Sequence, residues 1–460
     1  MRQEKRFPKS LRILLAAIAL AAGTEAAMAV EASAAATRPP NIILILADDL
    51  GYECIGANGG ESYKTPVLDQ LAKSGVRFEH CYSQPLCTPS RVQIMTGIYN
   101  VRNYVGWARL DASQTTFANL LKKAGYATCM AGKWQLGIDH QIGEDLKRFG
   151  FDESYLHPHG RYYWGASVVA NGERKELKPQ EYGPDAIQEH ALDFIERSKT
   201  KPFFLYYPVF LPHDPWLPTP DSGVPDAWTL GSEHRKSNAR YFADNIQYLD
   251  KLIGQMAAKL EELGLRDNTL ILFTGDNGTG WGIRTMMNTK TVMGGKGLMT
   301  DAGTRVPLIV NWPAGIRKGG VCKDLVDTTD FLPTFCALAG VEIPANLKID
   351  GHSFLPQLRG EPGNPRQWCY SWFTKYPTQA APREWARNQR YKLYRTGEFY
   401  DVSQDFEEKH PLTSLSPEAE AARKLLLQAL DQYRDARPAE MLALDKNGKN
   451  SKGKESKAGE

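Results

Sequence analysis

The sequence predicts an α/β fold: a mostly parallel central sheet with helices on both faces, followed by a small C-terminal α+β domain with an antiparallel sheet. Three observations lead there. Short apolar runs rich in β-branched or aromatic residues recur, among them Asn41–Ala47, Pro202–Val209 and Thr269–Thr274. Amphipathic stretches with glycine stops alternate with them, the pattern of a sheet wound with helices. Near Pro362–Pro365 the composition shifts to short strands separated by tight turns.

The chain opens with Arg2, Lys5, Arg6, Lys9 and Arg12, then an apolar run, Ile13–Leu20, too short to span a membrane. Ala27-Met28-Ala29 offers a small-x-small cleavage site, with Ala32-Ser33-Ala34 as a later one. Residues 1–29 therefore read as a Sec-type signal peptide, and export to the periplasm or outside the cell is expected. No cysteine directly follows either site, so no membrane anchor is indicated.

Asn41–Ala47 is apolar throughout and short, which suits a strand buried on both faces. It ends in Asp48-Asp49-Leu50-Gly51. Thr65–Ser74 has helical spacing (Val67, Leu68, Leu71, Ala72) and a stop at Gly75, and Val76–Phe78 starts a strand. Cys87-Thr88-Pro89-Ser90-Arg91 then opens a helix that closes at Gly97. Pro89 suits its first turn, so Cys87 is expected just before the helix, beside unpaired N–H groups and the positive end of the dipole. Thr116–Ala124 is a helix closed by Gly125, and Tyr126–Ala131 is a strand running into Gly132-Lys133-Trp134-Gln135-Leu136-Gly137.

The order repeats. Ile187–Arg197 is an amphipathic helix, and Pro202–Val209 a strand ending in Leu211-Pro212-His213-Asp214-Pro215. Arg240–Leu263 is a long helix, and Thr269–Thr274 a strand ending in Gly275-Asp276-Asn277-Gly278. Val306–Asn311 is a further strand. The main α/β domain is expected over residues 38–363 and the C-terminal subdomain over 364–438. The latter has strands at Gln367–Phe373, Tyr391–Tyr394 and Gly397–Val402 and a helix at Pro417–Arg434. The tail, 439–460, is rich in Lys, Gly, Ser and Asn and reads as disordered.

Charge excludes one class of partner. The formal net charge is +3, and residues 1–29 alone hold five Lys/Arg against two Glu, so the remaining chain is near neutral. Nucleic acid is not an expected partner. The seven cysteines are an odd number. Consuming Cys87 in a modification leaves an even set, compatible with disulfides or equally with buried thiols.

One regularity carries the functional reading. Asp48-Asp49, Lys133, His213 and Asp276-Asn277 each follow a predicted strand, and ligands of open α/β sheets bind beyond the carboxyl ends of strands. Asp48, Asp49, Asp276 and Asn277 offer hard oxygen donors, a set suited to Ca²⁺ or Mg²⁺. Paired acids at a strand end also serve as caps or solvated turn residues.

Cys87-Thr88-Pro89-Ser90-Arg91, a short apolar stretch and Thr96-Gly97 together resemble the signature of the type I sulfatases, of the alkaline phosphatase-like superfamily. The resemblance implies that a formylglycine-generating or other sulfatase-maturing enzyme oxidises Cys87 to formylglycine (3-oxoalanine), whose hydrate is the nucleophile. It implies Ca²⁺, in preference to Mg²⁺, on Asp48, Asp49, Asp276 and Asn277. Arg91 would hold the aldehyde hydrate. Lys133, in Gly-Lys-Trp-x-Leu-Gly, resembles the family lysine on a sulfate oxygen. Lys296, in Gly294-Gly295-Lys296-Gly297, resembles the lysine near the leaving oxygen, and Asp301–Pro307 continues that block. His213 resembles the histidine that contacts sulfate and protonates the leaving group. Gln135 departs from the pattern, since that substrate-binding position is commonly His. Gln is no base near neutral pH, which leaves water or an unidentified carboxylate to accept the last proton.

The implied reaction is hydrolysis of a sulfate monoester, with a carbohydrate ester expected before a small aryl ester. One hydroxyl of the hydrate attacks sulfur, the alcohol leaves, and the second hydroxyl expels sulfate and restores the aldehyde. Two rival readings stand beside it: a phosphate mono- or diester hydrolase of the same superfamily, and a non-catalytic binder of sulfated glycans. Tyr104, Trp107, Trp164 and Trp281 fall in loops near the motifs and can stack on a ring or belong to the core.

Overall fold

Asn41–Ala47 forms β1, and all seven of its residues are buried. The computed structural model describes residues 38–137, 146–158, 163–230, 238–317, 319–378 and 380–443; the signal-peptide segment and the end of the tail lie outside the described residues. The chain divides into Met1–Pro40 and a second unit, Asn41–Glu460, which carries every element named here.

The strands after β1 are β2 (Val76–Tyr82), β3 (Ala127–Lys133), β4 (Glu153–His157), β5 (Ser167–Ala170), β6 (Glu173–Glu176), β7 (Phe203–Val209) and β8 (Thr269–Gly275). β9 (Arg284–Met287) and β10 (Lys290–Met293) form a ribbon of their own, followed by β11 (Leu308–Asn311) and β12 (Gly320–Asp327). The ten-stranded main sheet runs β12-β2-β11-β8-β1-β7-β3-β4-β5-β6. Only β11 and β5 run against the rest, as their antiparallel pairing on both sides requires. The sheet is mostly parallel, as expected.

β1 is apolar at every position because alternate residues face different layers. Ile42, Leu44 and Leu46 join one core with α2 (Cys87–Thr96), α3 (Phe117–Lys123) and α6 (Phe331–Ala339). Ile43, Ile45 and Ala47 join the other with α1 (Pro66–Ser74), α4 (Gly183–Arg197) and α5 (Phe242–Glu262). A second, four-stranded antiparallel sheet follows, in the order β13 (Cys369–Phe373), β14 (Arg383–Arg387), β15 (Tyr391–Tyr394), β16 (Phe399–Asp401). With α7 (Pro417–Gln432) it packs onto the first core through Tyr370, Trp372, Leu393, Leu426 and Leu430.

Some expectations need correction, and two left open, Tyr104 and the cysteines, are resolved. Cys87 is the first residue of α2, with Leu86 as its N-cap, rather than the residue before the helix. Lys133 closes β3 instead of following it, because parallel pairing of β3 with β4 extends to Lys133 opposite His157. Strands β4–β6, β9, β10, β12 and β14 were not anticipated. Of these, β6 and β12 are the outermost strands of the main sheet, and β6, Glu173-Arg174-Lys175-Glu176, is exposed throughout. Tyr104 is core, buried with its hydroxyl on the Lys375 carbonyl. All seven cysteines are free thiols, six of them buried.

Candidate active site

β1 and β8 are parallel neighbours in register, Ala47 opposite Gly275, so Asp48 and Asp276 leave the sheet side by side. The Asp276 N–H donates to the Ala47 carbonyl at 3.0 Å. Asp49 then turns back with φ 62°, a left-handed conformation that Asp adopts more readily than bulkier residues. Its N–H donates to Asp276 Oδ1 at 3.1 Å, and Asn277 Nδ2 donates to Asp49 Oδ1 at 2.8 Å. Gly278 permits this crossing, because a Cβ there would stand 1.8 Å from the Ala302 carbonyl oxygen.

Cys87 faces these acids. α2 is buried along its whole length, so its polar side chains are paired: Gln93 with Gln84, Asp327 and Thr328, and Ser90 with the Gln84 and Leu86 carbonyls. A helix held this way offers Cys87 one direction. Its Sγ lies 3.4 Å from Asp48 Oδ1 and 3.9 Å from Asp49 Oδ1. One turn on, Arg91 donates to Asp276 Oδ2 through Nε (3.2 Å) and Nη2 (2.9 Å), to the Lys133 carbonyl at 2.8 Å, and stands 3.7 Å from Asp48. Arg91 thus ties three strand ends to the helix.

Two ammonium groups and a histidine complete the cluster. Lys133 Nζ lies 2.5 Å from Asp48 Oδ2 and Lys296 Nζ 2.5 Å from Asp49 Oδ2. His213 Nε2 lies 3.2 Å from Lys296 Nζ and 3.6 Å from Asp49 Oδ2. Its Nδ1 donates to the Asp214 carbonyl, which leaves Nε2 to accept from the Lys296 ammonium. The Tyr163 hydroxyl holds the His213 carbonyl at 2.5 Å. The expected Asp48, Asp49, Cys87, Arg91, Lys133, His213, Asp276, Asn277 and Lys296 therefore meet at one sheet edge.

Crowding drives these groups apart electrostatically. Burial would raise the pKa of Asp48, but Lys133, His213 and Arg91 outweigh it and hold the group below the carboxylate range. Asp276 is pushed up to about 7 by burial and by the Asp48 charge, despite Arg91. Burial lowers His213, with Lys133 and Lys296 adding to it against the acids. Burial also pushes the Cys87 thiol well above its ordinary value. An unmodified Cys87 is therefore a thiol, a poor nucleophile.

The donor set fits a hard divalent cation. Asp48, Asp49, Cys87 and His213 bring potential ligand atoms within 4.8 Å of one another. His213 already accepts from Lys296, whereas Asn277 Oδ1 is buried with no hydrogen-bond partner among the described residues. Three carboxylates beside an unpaired amide oxygen suit an oxygen-loving ion better than a thiol-and-imidazole set.

Residues without a motif also build the site. Thr279 accepts from the Gly51 N–H at 3.1 Å and donates to Glu53 Oε1 at 2.5 Å, joining the two acid-bearing loops. Ser83 donates to the Asp276 carbonyl at 2.7 Å. Only their closeness in sequence to Asp49, Asn277 and Cys87 hinted at them. Gln135, at φ 54°, has its Oε1 buried without a hydrogen-bond partner among the described residues. Trp164 is half-buried, its Nε1 on the Pro218 carbonyl, and Trp107 lies under the Lys375 ammonium, whereas Trp281 is exposed. No helix among the described residues is long and apolar enough to cross a membrane.

Known proteins resemble this chain along most of its length. The sulfatase family model matches residues 40–341, and the model of the N-sulphoglucosamine sulphohydrolase C-terminal region matches 293–436. Human arylsulfatase A is 32% identical over 407 residues, 80% of this chain and 77% of that protein. The N-acetylglucosamine-6-O-sulfatase of Bacteroides thetaiotaomicron is 27% identical over 95% of this chain and 93% of its own. The crystal structure of Ps i-CgsB with k-i-k-neocarrahexaose superposes with a TM-score of 0.71 at 25% identity, covering 89% of this chain and 98% of that one. The protein belongs to the type I sulfatase family of the alkaline phosphatase-like superfamily and is a sulfuric ester hydrolase.

Proposed function

We propose that the protein is exported and removes sulfate from a sulfated carbohydrate, with residue 87 acting as nucleophile after a maturing enzyme converts Cys87 to formylglycine. One observation carries this reading: Cys87 Sγ stands 3.4 Å from Asp48 Oδ1, within a cluster that also holds Lys133, His213 and Lys296. The names of the relatives support a carbohydrate, since one is an N-acetylglucosamine-6-O-sulfatase and another was crystallised with a neocarrahexaose.

Asp48, Asp49, Asp276 and Asn277 would hold Ca²⁺, which when bound supplies positive charge facing the sulfate oxygens and the nucleophile. Once formed, formylglycine at residue 87 would supply the attacking hydroxyl through its hydrate. Lys133 and Lys296 bind sulfate oxygens as fixed cations in a water-poor site, the largest electrostatic contribution the chain itself makes. Lys296 or His213, whose Nζ and Nε2 hydrogen-bond each other, gives the proton to the leaving oxygen. Arg91 fixes Asp276 and holds residue 87 toward the acids. Gln135 takes no proton, which leaves water or a carboxylate to accept the last one.

The test is sulfate release from p-nitrophenyl sulfate and from heparin, chondroitin sulfate and carrageenan oligosaccharides, with p-nitrophenyl phosphate as control. The expected result is sulfate release that prefers sulfate over phosphate esters and is lost in Cys87→Ala. Faster phosphate hydrolysis, or undiminished activity of Cys87→Ala, would contradict the assignment.

A further inference from the structure

Between Asn277 and Lys296 the chain departs from the main sheet to make the β9–β10 ribbon. Arg284 pairs with Met293 and Met286 with Thr291. Side chains alternate across a ribbon, so Thr285 and Val292 share one face and Arg284, Met286, Thr291 and Met293 the other. Thr285 and Val292 are buried, and Thr285 Oγ1 lies 3.3 Å from the Tyr63 hydroxyl. All four residues of the other face are exposed. The Thr291 hydroxyl reaches Met286 Sδ at 3.3 Å across that face. Trp281, just ahead of the ribbon, is 61% exposed.

This face is held firmly and joined to the sulfate site. The outer edge of β9 is fixed by Glu61 N–H on the Met286 carbonyl (2.8 Å), Asn288 N–H on the Gly59 carbonyl (3.0 Å) and Met286 N–H on Ser62 Oγ (2.8 Å). At the base, Gly294 N–H donates to the Ile283 carbonyl at 2.9 Å and Lys296 N–H to the Thr279 carbonyl at 3.0 Å. Gly294 packs so closely that a Cβ would stand 2.1 Å from the Gly280 carbonyl oxygen. Trp281 therefore sits two residues beyond the carbonyl that holds the Lys296 backbone.

We propose that Trp281 and the exposed face of β9–β10 form a platform for the carbohydrate that carries the sulfate, a reading that rests on Lys296 marking the sulfate site. Grouped exposed apolar side chains next to a site mark a surface that something covers. A sugar ring has an apolar C–H face that stacks on an indole, and methionines adapt to its irregular outline. Arg284 on the same face gives a further sulfate group a forked, charged partner. A continuous path from Lys296 to the ribbon favours the leaving sugar as the occupant over an unrelated protein.

The test uses full-length protein with Trp281→Ala, Trp281→Phe and Arg284→Ala, all at exposed positions. The probes are tetrasaccharides of heparin, chondroitin 6-sulfate and ι-carrageenan, with p-nitrophenyl sulfate as the small ester. Calorimetry should detect binding of at least one tetrasaccharide. Trp281→Ala should weaken that binding by about fivefold or more, with Trp281→Phe recovering most of it. In turnover, Trp281→Ala should raise KM for the tetrasaccharide more than for p-nitrophenyl sulfate by about the same factor. Arg284→Ala should weaken the tetrasaccharide carrying most sulfate more than the others. No binding of any tetrasaccharide, binding untouched by Trp281→Ala, equal losses on both substrates, or a wild-type dimer that Trp281→Ala dissociates would overturn the proposal. A wild-type protein that binds a tetrasaccharide but releases no sulfate from any probe counts against the catalytic reading and leaves the platform standing.

Discussion

In the candidate site, Asp48, Asp49 and Asp276 share the cations Arg91, Lys133 and Lys296 among them, while Asn277 Oδ1 stays unpaired. Around the C-terminal sheet the buried charges pair one to one. Arg387 meets Asp301, Lys392 Nζ lies 2.7 Å from Glu408 Oε1, and the Tyr394 hydroxyl takes the other oxygen of Glu408. In the first cluster the carboxylates are forced apart in pKa, Asp48 down by the cations around it and Asp276 up to about 7 by burial and the Asp48 charge. The second is closed, with burial lowering Lys392 and Glu408 opposing it. Yet the second frames the first. Lys392 donates to the Met299 carbonyl at 2.5 Å and Arg383 to the Gly297 carbonyl at 3.2 Å, so the C-terminal sheet grips the loop that presents Lys296.

If the clusters differ as described, mutations should separate activity from stability. The largest effect is expected for Cys87→Ala: a fall in kcat of roughly a thousandfold or more, in line with removal of a nucleophile, with the urea midpoint little changed. A matching loss of stability would mean that residue 87 serves the core. Glu408→Gln strands a buried ammonium and should cost roughly 3–5 kcal/mol in urea unfolding. The double variant Lys392→Met with Glu408→Gln should recover much of that. Next in size, Ca²⁺ at about a hundredfold over its Kd should stabilise the protein by about 2.7 kcal/mol, reversed by chelator and reduced in Asp49→Asn. The same increment in Asp49→Asn would remove that residue from the ligand set. The smallest effect is expected from Gln135→His: a rise in kcat of about tenfold or less, because the wild-type reaction already has another proton acceptor. No rise at any pH would set Gln135 aside.

What could be read before folding follows the same division. β1 was legible because a strand buried on both faces has only one way to be written, and Asp48, Asp276 and His213 were legible because strand ends are where ligands bind. Lys133 and Lys296 were legible through their resemblance to sulfatase motifs, Gly-Lys-Trp-x-Leu-Gly and Gly-Gly-Lys-Gly. Edge strands were not legible: β12 reads Gly-Val-Cys-Lys-Asp-Leu-Val-Asp, and its first residues are largely exposed, so no apolar run marks it. Nor were the residues that brace the site. Thr279 meets Glu53 across 226 positions, and Tyr163 meets the His213 backbone across 50; neither pairing has a local signal. Tyr104 was open to either reading until packing against the first core decided it.

The most direct measurement is the mass of the peptide spanning Cys87, taken from protein made in a host that matures sulfatases, alongside its sulfate-releasing activity. The account predicts a peptide in which the thiol has been replaced by an aldehyde or its hydrate, with activity proportional to the converted fraction. An intact thiol throughout in a fully active preparation would contradict it.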